Sequence, residues 1–298
     1  MVKYDKIYMD NFNYKKGCSM DNNQIESLKE EASRYALTPS LLKEILYELK
    51  KKIVEKKDLI TIANKEDIKV SKKQVKINNG EKIAHFNGCA TRAIGLKFDI
   101  PYIFNKEKFS CCALPFYIKG RFDLYEKYKK RNIELIKKYD KVVFDCATCY
   151  DTVLNYDGVD KEKLVYFTDF YLNKKLKYKK PVKIAFHKPC HLDEKTLSDI
   201  ETIIKNIKNI TYVDYKEKQD CCGFGGDFFT RHVKTAIELS LRKIDSLIKN
   251  DVDIVLTTCP TCLWSLKFGI KFRKSKIKAY DLADFLNNYI NQDLSNEE

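Results

Sequence analysis

Cysteine is the residue type in this sequence whose number and spacing point most directly to chemistry. The 298-residue chain contains 11 cysteines, and ten of them form two sets of five with one order: a single cysteine, an adjacent pair and a C-x-x-C pair. The first set is Cys89, Cys111, Cys112, Cys146 and Cys149, and the second is Cys190, Cys221, Cys222, Cys259 and Cys262. Corresponding cysteines lie 101, 110 or 113 positions apart, so the sequence predicts an internal duplication.

Three kinds of chemistry use cysteine sets of this size. Structural zinc is four-coordinate and its ribbon-type sites keep two C-x-x-C pairs close together, whereas each set here offers five thiols. Thiol–disulfide exchange needs one C-x-x-C pair and leaves three cysteines of each set without a role. Iron–sulfur ligation uses all five, because adjacent thiolates can bind different irons. The residues favour iron–sulfur ligation and leave zinc and redox dithiols as alternatives.

The elements that must position these thiols are short strands and helices in alternation. Four apolar, β-branched segments end at or near a cysteine, over residues 82–89, 141–149, 183–190 and 253–262. Each is typical of a buried parallel strand. Helical periodicity follows over 121–138 and 228–249. The alternation predicts parallel α/β layers, in which ligands gather at the carboxyl ends of strands.

The predicted fold class is therefore α/β, with two duplicated cysteine-rich α/β domains that have small parallel sheets. We expect the first domain over 79–180 and the second over 181–298. Residues 1–78 are predicted to be a helical N-terminal extension and linker, with helices over 25–35 and 39–55.

Composition narrows the class of protein. Apolar residues make up 44% and charged residues 33% of the chain, which excludes a disordered chain. No stretch is apolar enough for a membrane span or a signal peptide. We therefore expect a cytoplasmic protein, associated with a membrane at most peripherally through a partner, and reducing cytosol disfavours a disulfide framework.

The formal net charge is +14, with 56 Lys and Arg against 42 Asp and Glu. These lysines are dispersed in short runs and no nucleic-acid-binding motif accompanies them, so we interpret the charge as solvated surface. A zinc-stabilised nucleic-acid or protein binding module is the alternative from another class.

Two segments of the second half resemble a known family. These segments are Phe186-His-Lys-Pro-Cys-His-Leu192 and Gln219-Asp-Cys-Cys-Gly-Phe-Gly-Gly-Asp-Phe228. Together with the doubled five-cysteine order over about 80–265, they resemble the cysteine-rich CCG domain family. Members include the heterodisulfide reductase B subunit, the lactate-utilisation iron–sulfur protein and the iron–sulfur subunit of glycolate oxidase.

The resemblance implies two 4Fe–4S clusters, non-cubane ones held by five cysteines or cubane ones held by four. It also implies electron transfer between a flavin dehydrogenase or ferredoxin-type partner and a quinone or disulfide acceptor. We expect no flavin or nucleotide on this chain itself. A cluster-based heterodisulfide (CoB–CoM type) reductase catalytic subunit is the alternative within this class.

The chain departs from the family pattern in the first half. Ala113 stands where the family has glycine after the adjacent cysteines, and only 21 residues separate Cys89 from Cys111, against 30 between Cys190 and Cys221. We therefore expect the first cluster to differ in type or exposure. Cys18 is a single extra cysteine, so the N-terminal extension lacks the ligands for two ferredoxin-type clusters.

Several residues near the second set could assist it. His187 and His191 flank Cys190, where they could donate hydrogen bonds to a cluster or serve as structural histidines. Asp227 and Arg231 are candidate partner contacts. We expect Trp264 to be a core residue.

Overall fold

The computed structural model describes residues 80–93, 109, 111–118, 120–226 and 228–292. Cys18, Asp227 and the two helices predicted over 25–35 and 39–55 lie outside these residues. Within the described part, the chain forms two small parallel sheets, which confirms the predicted α/β fold class.

The first half is built on a three-stranded parallel sheet with the order β1-β2-β3. Its strands are β1 (Ile83–Phe86), β2 (Lys141–Phe144) and β3 (Leu164–Tyr166). Its helices are α1 (Cys89–Ala93), α2 (Leu114–Ile118), α3 (Phe122–Ile136) and α4 (Ala147–Leu154), followed by 3-10 helices at Lys161–Lys163 and Phe167–Phe170.

The second half repeats this plan around a larger sheet with the order β5-β4-β6-β7, to which β8 adds an antiparallel pair with β4. Its strands are β4 (Leu176–Phe186), β5 (Lys208–Tyr212), β6 (Ile254–Thr257), β7 (Lys278–Asp281) and β8 (Ile290–Gln292). Its helices are α5 (Glu194–Asn206), α6 (Phe228–Arg231), α7 (Val233–Lys249), α8 (Pro260–Phe272) and α9 (Leu282–Asn288), with a 3-10 helix at Lys216–Gln219.

The strands that carry the cysteines are paired in the same way in both halves. Phe86 of β1 lies beside Phe144 of β2, and Phe186 of β4 lies beside Leu256 of β6, all in parallel register. Because parallel neighbours end at the same edge, each pair delivers two cysteine segments to one place. The strands predicted from the four apolar segments are confirmed.

The cysteine-bearing ends of these strands lie in the core, and the last three residues of β2 and of β4 are all buried. All four residues of β1 and of β6 are buried, as expected for parallel strands covered on both faces. Phe86 and Phe144 stack with ring centroids 4.9 Å apart. Burial of each ring stabilises the folded state by about 1.5–3 kcal/mol. The core thus fixes the strand ends from which the cysteines project.

Helices α7 and α8 form the outer layer of the second half and pack closely at Gly269. A Cβ atom on Gly269 would lie 2.7 Å from both Ile244 Cγ1 and Ser240 Oγ, so only glycine permits this approach. None of the helices in the described part of the chain has the length and apolar character of a membrane-spanning segment.

Candidate metal centres

The first cysteine set lies at the carboxyl edge of the first sheet. Cys89 begins α1 just after β1, and Cys146 is the N-terminal cap of α4 just after β2, with Cys149 in the first turn. All five cysteines are buried, and the sulfur atoms of Cys111 and Cys89 are 3.5 Å apart. The structure therefore brings three separate chain segments to one site.

Gly88 makes this convergence possible. A Cβ atom at Gly88 would lie 2.7 Å from Cys149 Sγ and 3.9 Å from Cys146 Cβ. The backbone before Cys89 therefore passes directly against the C-x-x-C segment, at a distance that no side chain allows. Sequence reasoning did not single out Gly88, although a glycine immediately before a strand-end cysteine was a visible signal.

The thiols of the first set share hydrogen bonds. Contacts with Cys111 and Cys149 lower the pKa of Cys112 well below its ordinary value. The same contacts, together with burial, raise the pKa of Cys111 and of Cys149. The buried thiols thus form one soft donor set in which a thiolate is favoured at Cys112. Iron–sulfur clusters and zinc both bind to donors of this kind.

The adjacent pair of the first set sits in a fixed turn. Ala113 has a φ of 65°, which lets its N–H donate to Cys111 Sγ at 3.3 Å. Two buried side chains hold the backbone of the pair: Asn132 Nδ2 donates to the carbonyl of Cys111 at 2.8 Å, and Tyr156 OH donates to that of Cys112 at 2.7 Å. Neither Asn132 nor Tyr156 was singled out from the sequence.

The second set repeats this arrangement. Cys259 caps α8 with Pro260 at the helix start, and Cys262 lies in the first turn. Contact with Cys262 lowers the pKa of Cys259 to about 6, while contact with Cys222 raises that of Cys262. Cys190, by contrast, is only partly buried.

The adjacent pair of the second set has the same backbone as that of the first. Gly223 has a φ of 74°, and its N–H donates to Cys221 Sγ at 3.3 Å. Ser265 Oγ donates to the carbonyl of Cys222 at 2.7 Å, where Tyr156 serves the first set. Ala113 thus departs from glycine in its side chain and keeps the left-handed turn.

Helix α7 packs against the turn at Gly223 and contributes a buried lysine to it. A Cβ atom on Gly223 would lie 2.9 Å from both Cα and O of Ala236. Lys243 is 1% exposed, and its Nζ donates to the carbonyl oxygens of Asp220 at 2.7 Å and Glu217 at 3.0 Å. Lys243 was missed from the sequence, and the buried residues on its side of α7 are Leu239 and Leu247, four positions before and after it.

The two sets adjoin each other across the halves. The N–H of Ala147 donates to the carbonyl of Thr258 at 3.0 Å, and Thr148 Oγ1 lies 3.7 Å from Cys259 Sγ. Contact with Cys149 lowers the pKa of Cys146, but burial and the charge of Cys259 outweigh this and raise it to about 11. Helix α4 of the first half therefore begins against the C-x-x-C segment of the second.

The two histidines beside Cys190 differ in environment. Burial lowers the pKa of His187 well below its ordinary value, as expected for a structural histidine. Burial also acts to lower the pKa of His191, but its 2.8 Å hydrogen bond with Asp151 and the charge of Cys190 raise it to about 9. Since Asp151 belongs to α4, His191 is a second link between the halves.

The remaining predicted residues are placed as follows. Trp264 is 37% exposed, so the prediction of a core position is wrong. Its ring centroid lies 5.5 Å from that of Phe224, edge-on, and 5.9 Å from that of Phe229. Asp227 and the side chain of Arg231 lie outside the described residues.

Within the described ranges, no group of three or more His, Cys, Asp or Glu side chains is arranged to hold one metal ion. A four-iron cluster binds its thiolates through several irons, so its ligands need not surround a single point.

Comparison with known proteins identifies the family. The profile of the cysteine-rich domain, CCG, matches residues 80–153 and 184–267, which is more than half of the chain. Each match contains all five cysteines of one set. The chain belongs to the cysteine-rich CCG domain family, with two copies of the domain.

Individual relatives are distant. The chain is 27% identical over 219 residues to an uncharacterized iron–sulfur protein of Methanococcus maripaludis, covering 66% of this chain and 43% of that protein. It is 25% identical to a subunit of the dihydromethanophenazine:CoB–CoM heterodisulfide reductase of Methanosarcina barkeri, covering 71% and 60%. It is 22% identical to a lactate utilization protein of an Exiguobacterium species, covering 61% and 83%. The chain thus spans less than half of the Methanococcus protein.

Proposed function

We propose that this chain is an iron–sulfur electron-transfer subunit of an oxidoreductase complex, with one four-iron cluster on each set of five cysteines. The observation that carries the proposal is the placement of two duplicated five-cysteine sets at adjoining sheet edges, joined by the 3.0 Å hydrogen bond from Ala147 to Thr258. Relatives described as iron–sulfur proteins and as redox subunits support it.

Each part of the chain would have a defined task. The domains predicted over 79–180 and 181–298 would each hold one cluster, which supplies reversible one-electron storage when bound. The N–H groups of Ala113 and Gly223 already donate to cysteine sulfur and would stabilise its negative charge. Burial of the first set would exclude water from its cluster.

The electron balance is that of a relay. A cluster held by the cysteines of one set would take one electron from a flavin dehydrogenase or ferredoxin-type partner, and a cluster held by the other set would pass one electron to a quinone or disulfide acceptor. The contact between α4 and the second C-x-x-C segment keeps the two sets adjacent, which shortens the path between them.

Disulfide reduction at the second set is the second candidate. Cys190 and Cys221 are only partly buried, whereas all five cysteines of the first set are buried. A substrate disulfide could therefore approach the second set, where two electrons from a partner and two protons from solvent would convert it to two thiols.

Metal content tests the proposal. Protein purified without oxygen is expected to be brown and to contain about eight irons and eight acid-labile sulfides per chain, as two four-iron clusters require. Cys112→Ser and Cys222→Ser should each lose up to about half of this iron. Cys18→Ser is the matched control, because Cys18 belongs to neither set, and should retain all of it.

Three results would change the proposed function or the assigned ligands. Colourless protein that contains zinc and no sulfide would refute the redox proposal and favour the zinc-stabilised binding module. Iron content that stays unchanged in Cys112→Ser and Cys222→Ser would refute the assigned ligands. With iron present, reduction of a low-molecular-weight disulfide by dithionite-reduced protein, lost in Cys222→Ser, would favour the reductase over the relay.

A further inference from the structure

The two cysteine sets differ in the charge of one buried side chain. Lys243, in the middle of α7, directs its ammonium group to the carbonyl oxygens of Glu217 and Asp220, immediately before Cys221. Burial lowers the pKa of this amine, and the negative charges of Asp220, Cys222 and Cys221 oppose that effect. The two carbonyl acceptors hold the amine beside the second set, where an anionic cluster would favour its charged form.

The first set has a neutral side chain in the equivalent place. Asn132, in the middle of α3, lies 111 positions before Lys243, within the 110–113 offset that relates the adjacent cysteine pairs and the C-x-x-C pairs. Its Nδ2 atom also donates to a backbone carbonyl of the adjacent-cysteine segment, that of Cys111, at 2.8 Å. Both side chains thus donate to the backbone at or just before an adjacent cysteine pair, and they differ in charge.

Other buried charges add to this difference. Asp145, 3% exposed, precedes Cys146 of the first set and lies 3.4 Å from His85 Nε2, and its charge acts to raise the pKa of Cys146. At the second set, the Asp220 carboxylate forms an ion pair with Arg242, so that pair contributes little net charge. The first set therefore has a buried carboxyl group near it, and the second has the Lys243 ammonium.

We propose that Lys243 is a positioning residue that raises the reduction potential of a cluster on the second cysteine set above that of a cluster on the first. This inference rests on the proposed function. Adding an electron makes a cluster more negative, and a nearby positive charge in a poorly screened interior stabilises that state. Electrons that enter the chain would then collect at the second set, which has the partly exposed Cys190 and Cys221.

Anaerobic redox titration of the cluster-loaded protein, followed by electron paramagnetic resonance, tests the inference. Lys243→Gln keeps a hydrogen-bond donor and removes the charge. It is expected to shift the electron distribution at least tenfold away from the second cluster, which is about 59 mV for a one-electron couple. Lys243→Arg keeps the charge and should keep the potential. Lys249→Met removes an exposed lysine of the same helix and should change neither potential.

Assignment of the potentials gives a test that does not depend on folding of the Lys243 variants. The higher wild-type potential should disappear in Cys222→Ser and remain in Cys112→Ser. The inference is overturned if the higher potential belongs to the first set, or if Lys243→Gln leaves both potentials unchanged. In either case the protein still contains two clusters, whereas failure of the proposed function would appear earlier, as wild-type protein without iron.

Discussion

Replacement of Gly223 by alanine tests whether the turn at the second adjacent cysteine pair is fixed by packing as well as by backbone conformation. A Cβ atom there would lie 2.9 Å from Cα and O of Ala236 and 3.2 Å from Leu239 Cδ1. The first two contacts are with the backbone of α7, which cannot yield without moving the helix. The φ of 74° adds strain for any residue with a side chain.

The expected cost follows from these two effects. The left-handed conformation costs alanine about 1–2 kcal/mol, and overpacking costs about 1–3 kcal/mol. The smaller entropy of the unfolded chain with alanine offsets about 0.4–1 kcal/mol of this. Gly223→Ala should therefore lower the free energy of unfolding by roughly 1–4.5 kcal/mol.

Two matched variants separate the contributions. Gly120 has a φ of 69°, and a Cβ atom placed on it would have no other atom within 4 Å, so Gly120→Ala should cost at most about 1.5 kcal/mol. Ala113 has a φ of 65° in the same kind of turn as Gly223, so Ala113→Gly should stabilise the protein by up to about 1.5 kcal/mol.

Urea unfolding of the reduced, metal-free protein, followed by circular dichroism, measures the free energy of unfolding of all three variants. Iron uptake by Gly223→Ala should also fall, because moving the turn breaks the hydrogen bond to Cys221 Sγ. A Gly223→Ala variant as stable as Gly120→Ala would show that the contact with α7 does not constrain the turn, and would refute the reasoning.

Three further predictions concern the support of the sites. Tyr156→Phe leaves the carbonyl of Cys112 without its 2.7 Å donor and should destabilise the metal-free protein by about 1–3 kcal/mol in urea unfolding; an unchanged midpoint would contradict this. Gly269→Ala should cost about 1–3 kcal/mol, because its Cβ would lie 2.7 Å from Ile244 Cγ1, and equal melting temperatures would count against the packing of α7 on α8. Burial raises the pKa of Asp281 well above 3.8, so its contribution to stability is complete below pH 3.8 and is lost as the pH rises towards the folded-state pKa. Asp281→Asn cannot ionise and lacks this loss. The free energy of unfolding of the variant, measured in urea and compared with wild type, should therefore increase between about pH 4 and 7. A difference that does not change with pH would refute the raised pKa of Asp281.

The fold could be predicted where local pattern and long-range structure agree. Strands β1 and β6 are short, fully buried and mostly apolar, and the 11-residue β4 ends in a buried apolar run, so the local sequence is sufficient to indicate these strand ends. The start of α8 also agrees with its local sequence, because Pro260 suits the first helical position. The repeated spacing alone was sufficient to group the ten cysteines into two sets of five.

The supporting residues could not be predicted, because their roles depend on contacts between distant segments. Asn132 and Lys243 lie on helices whose periodicity shows which face is buried but not which carbonyl that face meets. Gly88 is recognisable only once Cys149 lies against it. Trp264 occupies a helical position that a pattern of apolar residues cannot distinguish from the core, and its neighbours leave it 37% exposed.

The hydrogen bond from Ala147 to the carbonyl of Thr258 has a consequence for how the repeats can associate. In a pair of identical units, each contact would be returned by its symmetry mate. The return bond would run from residue 260 to the carbonyl of Asp145, since both lie 113 positions from their counterparts, but Pro260 has no N–H to donate. Two copies of the C-terminal repeat could not form this bond with each other, whereas an N-terminal repeat can donate to a C-terminal one. Pro260 therefore makes this contact one-directional: the bond runs from the first repeat to the second and has no return partner.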